Sequence, residues 1–197
     1  MKKVLFVINT LGCAGAETAM LELIRNINPK EYEVSLFVLM NQGEMIHQLP
    51  NYVKVLNKNL SDCSVLSKEG KRQLNRFVLC TMFRRGSVFR NIPYLFSNLF
   101  SMIRKKKILP DKLLWRVMSD GAPKITENYD LAVAYLEGGS AYYVADHVKA
   151  AKKVGFIHID YGKAGYTRKL DKGCYDEYYR IFTVSEEVRQ HFTAIYP

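Results

Sequence analysis

Four short stretches of the chain carry residue types able to bind or move charge, and each directly follows an apolar run. In Thr10 to Glu17 (TLGCAGAE) the small residues Gly12, Ala14, Gly15 and Ala16 leave backbone N–H groups at a helix start open to an anion or a sugar, with Glu17 closing the stretch. Glu137 to Ser140 (EGGS) sets a carboxylate able to hold a hydroxylated ligand beside Gly138 and Gly139, which would let that ligand approach the backbone. His158 to Tyr161 (HIDY) puts His158 and Asp160 on one side of an extended segment by period-two alternation, together with Phe156. Ser185 to Glu187 (SEE) opens a last helix with Ser185 as its N-cap. Each stretch also has a plain structural role open to it: a tight turn with small residues for packing, a solvated Glu in a glycine turn, a hydrogen-bonded core His.

The elements that must position these residues are legible as alternating patterns. Lys3 to Ile8 is a continuous apolar run, the mark of a strand buried on both faces. Ala16, Met20, Leu23, Ile24 and Ile27 then follow helical spacing up to Pro29, and Tyr32 to Met40 forms a second strand, which completes a βαβ unit. A weaker strand is predicted at Asn51 to Asn57 after a helical turn near Glu44 to Leu49, and strands return at Tyr129 to Leu136, Lys152 to Asp160 and Tyr179 to Ser185. Helical stretches lie near Ser140 to Lys149 and Asp171 to Tyr178, and Val188, Phe192 and Ile195 share one face of the last helix. The pattern predicts a doubly wound, mostly parallel Rossmann-like α/β sheet of about six strands in the order 3-2-1-4-5-6. In such a sheet ligands bind beyond the carboxyl ends of the strands, where all four stretches fall.

Several function classes are disfavoured. The first turn has G-x-x-G instead of G-x-G-x-x-G, and the second strand ends FVLMNQG with no acid to grip a ribose, which argues against NAD; G-x-x-x-x-G-K-[ST] is missing too. Cys13, Cys63, Cys80 and Cys174 are far apart with no C-x-x-C pair, which argues against zinc or a disulfide scaffold and favours a reducing compartment. The start MKKVLFVINT reads as a strand, not a leader, and no apolar run reaches the ~18 residues of a membrane span. The expected location is cytoplasmic.

The 197 residues, 48% hydrophobic and 24% charged, suit one main core. The net charge of +10 is concentrated: from Lys68 to Arg116 thirteen basic residues face two acids, so this segment carries the whole surplus. Residues 64–120 read as a helical basic insert of two or three helices without a strand. Within it Ile92, Leu95, Phe96, Leu99, Phe100 and Ile103 recur at helical spacing ahead of Arg104, Lys105, Lys106 and Lys107. That pattern suits a helix lying on an anionic membrane surface, which would make the protein peripheral on the inner face of the plasma membrane. The other reading packs the apolar stripe on the sheet. No helix-turn-helix, RNP-like or zinc-finger pattern accompanies the charge, so nucleic acid is not an expected partner.

Taken together, AGAE (Ala14 to Glu17), YDLAVAYLEGG, KKVGFIHIDY and IFTVSEEVRQHFTAIYP resemble, in order, motifs of the retaining glycosyltransferases of family 4 (group 1), whose GT-B architecture sets two Rossmann-like domains across a cleft. Alanine replaces the first glycine of the family's GGAE-like turn. The resemblance covers the chain outside the insert and implies that residues 1–197 form the N-terminal, acceptor-side domain. The E-x7-E motif of the donor-binding C-terminal domain does not occur in this sequence. What the resemblance implies is transfer of a sugar from a UDP- or GDP-linked donor to a saccharide or lipid-linked saccharide, in cell-surface polysaccharide or glycolipid synthesis. Configuration would be retained, with no cofactor and no obligatory metal. Gly12, Ala14, Gly15, Ala16 and Glu17 would then face the diphosphate or donor sugar, and His158 the donor sugar or leaving group. Glu137, Gly138, Gly139, Asp160 and Tyr161 would face acceptor or sugar hydroxyls. This half alone is expected to be inactive, and a non-catalytic sugar-binding or partner-holding module is the rival reading.

Overall fold

The computed structural model describes residues 1–197. Six strands, β1 (Lys2–Ile8), β2 (Tyr32–Val38), β3 (Lys54–Val55), β4 (Asn128–Ala134), β5 (Lys149–Ile157) and β6 (Arg180–Thr183), form one parallel sheet in the expected order β3-β2-β1-β4-β5-β6. Alternation explains the apolar run of β1. Val4, Phe6 and Ile8 pack with Met20, Leu21 and Ile24 of α1 (Gly15–Arg25), while Leu5 and Val7 join Tyr142, Tyr143 and Val144 of α6 (Gly139–His147) on the other face. With helices on both faces, the last five residues of β1 and of β2 have no solvent side to be polar for.

α8 (Glu186–Thr193) begins as its sequence predicts. The Ser185 hydroxyl accepts from the Val188 N–H at 3.2 Å, and Val188 and Phe192 are buried. β5 begins and ends earlier than Lys152 to Asp160, for two physical reasons. Its register with β4 extends back to the Asn128–Lys149 pair, and at the other end the His158 N–H donates to the Glu137 carboxylate at 3.0 Å instead of continuing the ladder. The single helix expected over Asp171 to Tyr178 is broken by left-handed backbone at Lys172 (φ 53°) and Gly173 (φ 75°) into α7 (Arg168–Asp171) and a short 3-10 turn at Cys174–Glu177.

The basic segment forms four helices where two or three are expected, α2 (Lys68–Phe83), α3 (Ser87–Arg90), α4 (Ile92–Arg104) and α5 (Pro110–Gly121), and no strand. α5 lies against α6, with Leu113, Val117 and Met118 buried. At that joint the Arg116 guanidinium pairs with Asp146, donates to the Asp171 carbonyl and stacks 4.4 Å from the Tyr142 ring. The α4 stripe does not pack on the sheet. Tyr94, Asn98 and Met102 form its buried side, and Ile92, Phe96, Leu99, Phe100 and Ile103 are exposed. No helix is long and apolar enough to cross a membrane.

Candidate functional site

β1 and β4 leave the centre of the sheet in opposite winding directions, so their carboxyl ends open at the point where strand order reverses. Asn9, the first residue after β1, joins them: its Oδ1 accepts from the Ser140 N–H at 2.8 Å and its Nδ2 donates to the Glu137 carbonyl at 3.2 Å. Glu137, itself buried, passes the link to β5 through the His158 N–H. Three of the four polar stretches are thereby drawn into one place.

α1 supplies the fourth side. Its N-cap, Ala14, offers no side-chain acceptor, so the N–H groups of Gly15 and Ala16 stand at the positive end of an eleven-residue helix without a side-chain cap. A methyl group built on Gly12 or Gly15 would meet nothing within 4 Å, so the space over this turn is open. Glu17, third in the helix, is buried and its carboxylate turns back toward the Gly12 N–H, the Thr10 hydroxyl and the His158 side chain. Burial raises its pKa above the usual glutamate value, and those neighbours act in the opposite direction. The His158 ring lies 5.3 Å from the Tyr135 ring and 6.2 Å from that of Phe156, and its Nε2 is buried with no hydrogen-bond partner within the protein. Glu17 lies near His158 and Glu137 holds the His158 backbone, while the imidazole keeps one nitrogen uncommitted, which suits a group that meets a ligand.

Three sequence expectations need correcting. Gly138 and Gly139 do not open the backbone to a ligand. A methyl on Gly138 (φ 75°) would lie 2.6 Å from the Tyr166 hydroxyl and 2.9 Å from Trp115 Cδ1, and one on Gly139 would lie 2.6 Å from Trp115 Cε3. They are glycines because Trp115, reaching in from α5 of the insert, packs directly on them. Tyr161 is a core residue: fully buried, it stacks 4.6 Å from Tyr166, and its hydroxyl bonds Asp171 at 2.7 Å and Tyr175 at 3.1 Å. Asp160, past the end of β5 as His158 is, is engaged within the fold. Its carboxylate accepts from the Lys163 N–H at 3.0 Å and lies 2.9 Å from Lys163 Nζ and 2.7 Å from His191 Nδ1. The Lys163 backbone bond leads the set of contacts that lowers its pKa.

Thr10, from the first stretch, also belongs to the site, and Asn9, Trp115 and Tyr166 join it although their sequence context gave no prompt to single them out. Trp115 is the only tryptophan in the chain and lies in the one segment that reads as separate from the sheet. A cavity of about 500 Å³ lies alongside, over the chain that follows β2, and Asn41, Gln42, Asn59, Gln73, Arg76 and Phe77 line it. Two carboxylate–histidine clusters, Asp120–Asp146–His147 and Asp160–Glu187–His191, have ligand atoms close enough for a metal ion. A protein cation already pairs with each: Arg116 with Asp146 of the first, and Lys163 with Asp160 and Glu187 of the second. Comparison with family models, with curated proteins and with solved structures returns no match.

Proposed function

We propose that this chain is the acceptor-side domain of a retaining glycosyltransferase that uses a nucleotide-sugar donor. The observation that carries the reading is the meeting of the uncapped α1 N-terminus with the Glu17–His158–Glu137 group at the reversal point of the sheet. Breaking a glycosyl–diphosphate bond leaves negative charge on the leaving phosphate. N–H groups held at a helix end stabilise such charge without reorganising as it develops. The Gly15 and Ala16 N–H groups have that role here. His158 faces the donor sugar or the leaving oxygen, with Glu17 beside it and Glu137 fixing its backbone. Gly138 and Gly139 act indirectly, by seating Trp115 over the site, and Asp160 and Tyr161 take no part. The acceptor saccharide occupies the cavity that follows β2, where the exposed Asn59 amide offers a donor and an acceptor to hydroxyl groups and Arg76 further donors. In the family that the sequence resembles, a second domain supplies the diphosphate-binding cations, so both domains are needed for turnover.

The test is sugar transfer by the product of the complete coding region, screened with UDP- and GDP-sugars, for the native protein and for His158→Ala. Loss of a group acting on the leaving oxygen is expected to lower kcat about 100-fold or more, with the circular dichroism spectrum unchanged. Transfer by His158→Ala at the native rate would sink the assignment. Sugar binding without turnover by any donor would favour a non-catalytic module.

A further inference from the structure

The outer side of α4 has no partner in the fold. Ile92, Phe96, Leu99, Phe100 and Ile103 lie within about 100° of the helix circumference at 3.6 residues per turn, opposite Tyr94, Asn98 and Met102, which face the protein. Phe96 and Phe100 are 71% and 70% exposed. The apolar surface runs on through Phe89, 63% exposed, whose ring centroid lies 6.4 Å from that of exposed Phe83. Arg104, Lys105, Lys106 and Lys107 follow at the helix end, all exposed and none in an ion pair. Lys107 Nζ donates instead to the Lys163 carbonyl at 3.0 Å, and Lys169 Nζ to the Ser97 carbonyl at 2.8 Å, so α4 is tied to the chain that follows β5.

We propose that this face of α4 docks the protein on an anionic lipid bilayer, with Phe96 and Phe100 immersed in the acyl boundary and Arg104 to Lys107 among the headgroups. Charge decides the occupant. A second copy would bring two strongly basic segments together, and an uncharged apolar groove would leave four cations without counter-charge. An anionic bilayer accommodates both features at once. A cleft of about 210 Å³ lined by Asn98, Met102, Lys105 and Thr167 lies on the other, protein-facing side of α4 and is not part of the docking face. The proposal goes beyond the glycosyltransferase reading and stands whether or not the protein transfers sugar.

The test is flotation of the full chain with vesicles of phosphatidylcholine alone, and of phosphatidylcholine with about one third phosphatidylglycerol. Binding is expected only to the anionic vesicles and is expected to weaken as salt rises. Lys105→Gln/Lys106→Gln should weaken it about 25-fold, since each basic residue near such a surface contributes about fivefold. Phe96→Ser/Phe100→Ser should weaken it about 100-fold through lost apolar burial. All four positions are exposed, so melting temperatures should not move, which separates lost docking from lost folding. Equal binding to neutral vesicles, salt-independent binding or no binding would overturn the proposal. So would a dimer seen by light scattering that Phe96→Ser/Phe100→Ser abolishes, because that result would assign the face to a second copy.

Discussion

Around the carboxyl ends of β1, β4 and β5 the polar residues Glu17, Glu137 and Ser140 are buried, whereas on the outer side of α4 the apolar residues Phe96, Phe100 and Ile103 are exposed. Each arrangement inverts the usual partition, and the costs differ. A polar group withdrawn from water without a partner costs about 1–3 kcal/mol, so the strand-end network persists because Asn9, Glu137 and Ser140 satisfy one another. An exposed phenylalanine is about as hydrated folded as unfolded and costs folding little. The strand ends and the α5–α6 joint therefore hold stability, and the outer face of the insert holds unused capacity to bind.

Substitutions can break this contrast. The largest effect is expected at the joint. Arg116→Met leaves Asp146 without its cation and the Asp171 carbonyl without its donor, and should cost about 3–4 kcal/mol in urea unfolding. A cost below about 1 kcal/mol would mean that the insert is held by apolar contact alone. Next is Gly138→Ala, where the added methyl meets Tyr166 and Trp115 and the positive φ is retained; about 2–3 kcal/mol should be lost. Gly12→Ala, in open space, should stay within about 0.5 kcal/mol. Equal effects at the two glycines would erase the distinction between a packed turn and an open one.

An acid-sensitive step should follow from Asp120. Burial pushes its pKa up, but hydrogen bonds from His147 and Asn91 and the attraction of His147 outweigh that and hold it at about 2, against an ordinary 3.8. The folded value is the lower one, so the contribution is present above pH 4 and is lost as the pH falls from about 4 to 2, about 2 kcal/mol in all. Asp120→Asn should be less stable at pH 7 and show a shallower loss across that window in thermal melts. The smallest effect is expected at Phe96→Ser, within about 0.5 kcal/mol of the native stability; a larger loss would show that the outer face of α4 is part of the core after all.

The sheet order was legible because β1, β2 and β4 are apolar on both sides and alternate with helical periodicity, which leaves few windings open. Ser185 could be read as a cap because a cap is a local bond, formed with a residue three positions on. The functions of Gly138 and Tyr161 could not be read, because each depends on a partner distant in the sequence. Gly138 answers to Trp115 in the insert, and Tyr161 to Asp171 at the end of α7. The strand assumed for His158 and Asp160 stops short of both for a related reason: a side chain, Glu137, takes the His158 N–H, and β5 ends at Ile157. On α4, spacing located the apolar stripe but not its surroundings, since a stripe facing a core and one facing outward share the same period.

The two lysine bonds from Lys107 to the Lys163 carbonyl and from Lys169 to the Ser97 carbonyl have a mechanical meaning. They span α4 at two points, one near its middle and one just past its end, so the helix cannot roll or slide without pulling on residues 163 to 169. That chain carries Tyr166, whose hydroxyl lies against Gly138, so a displacement of α4 would be felt first at the turn after β4.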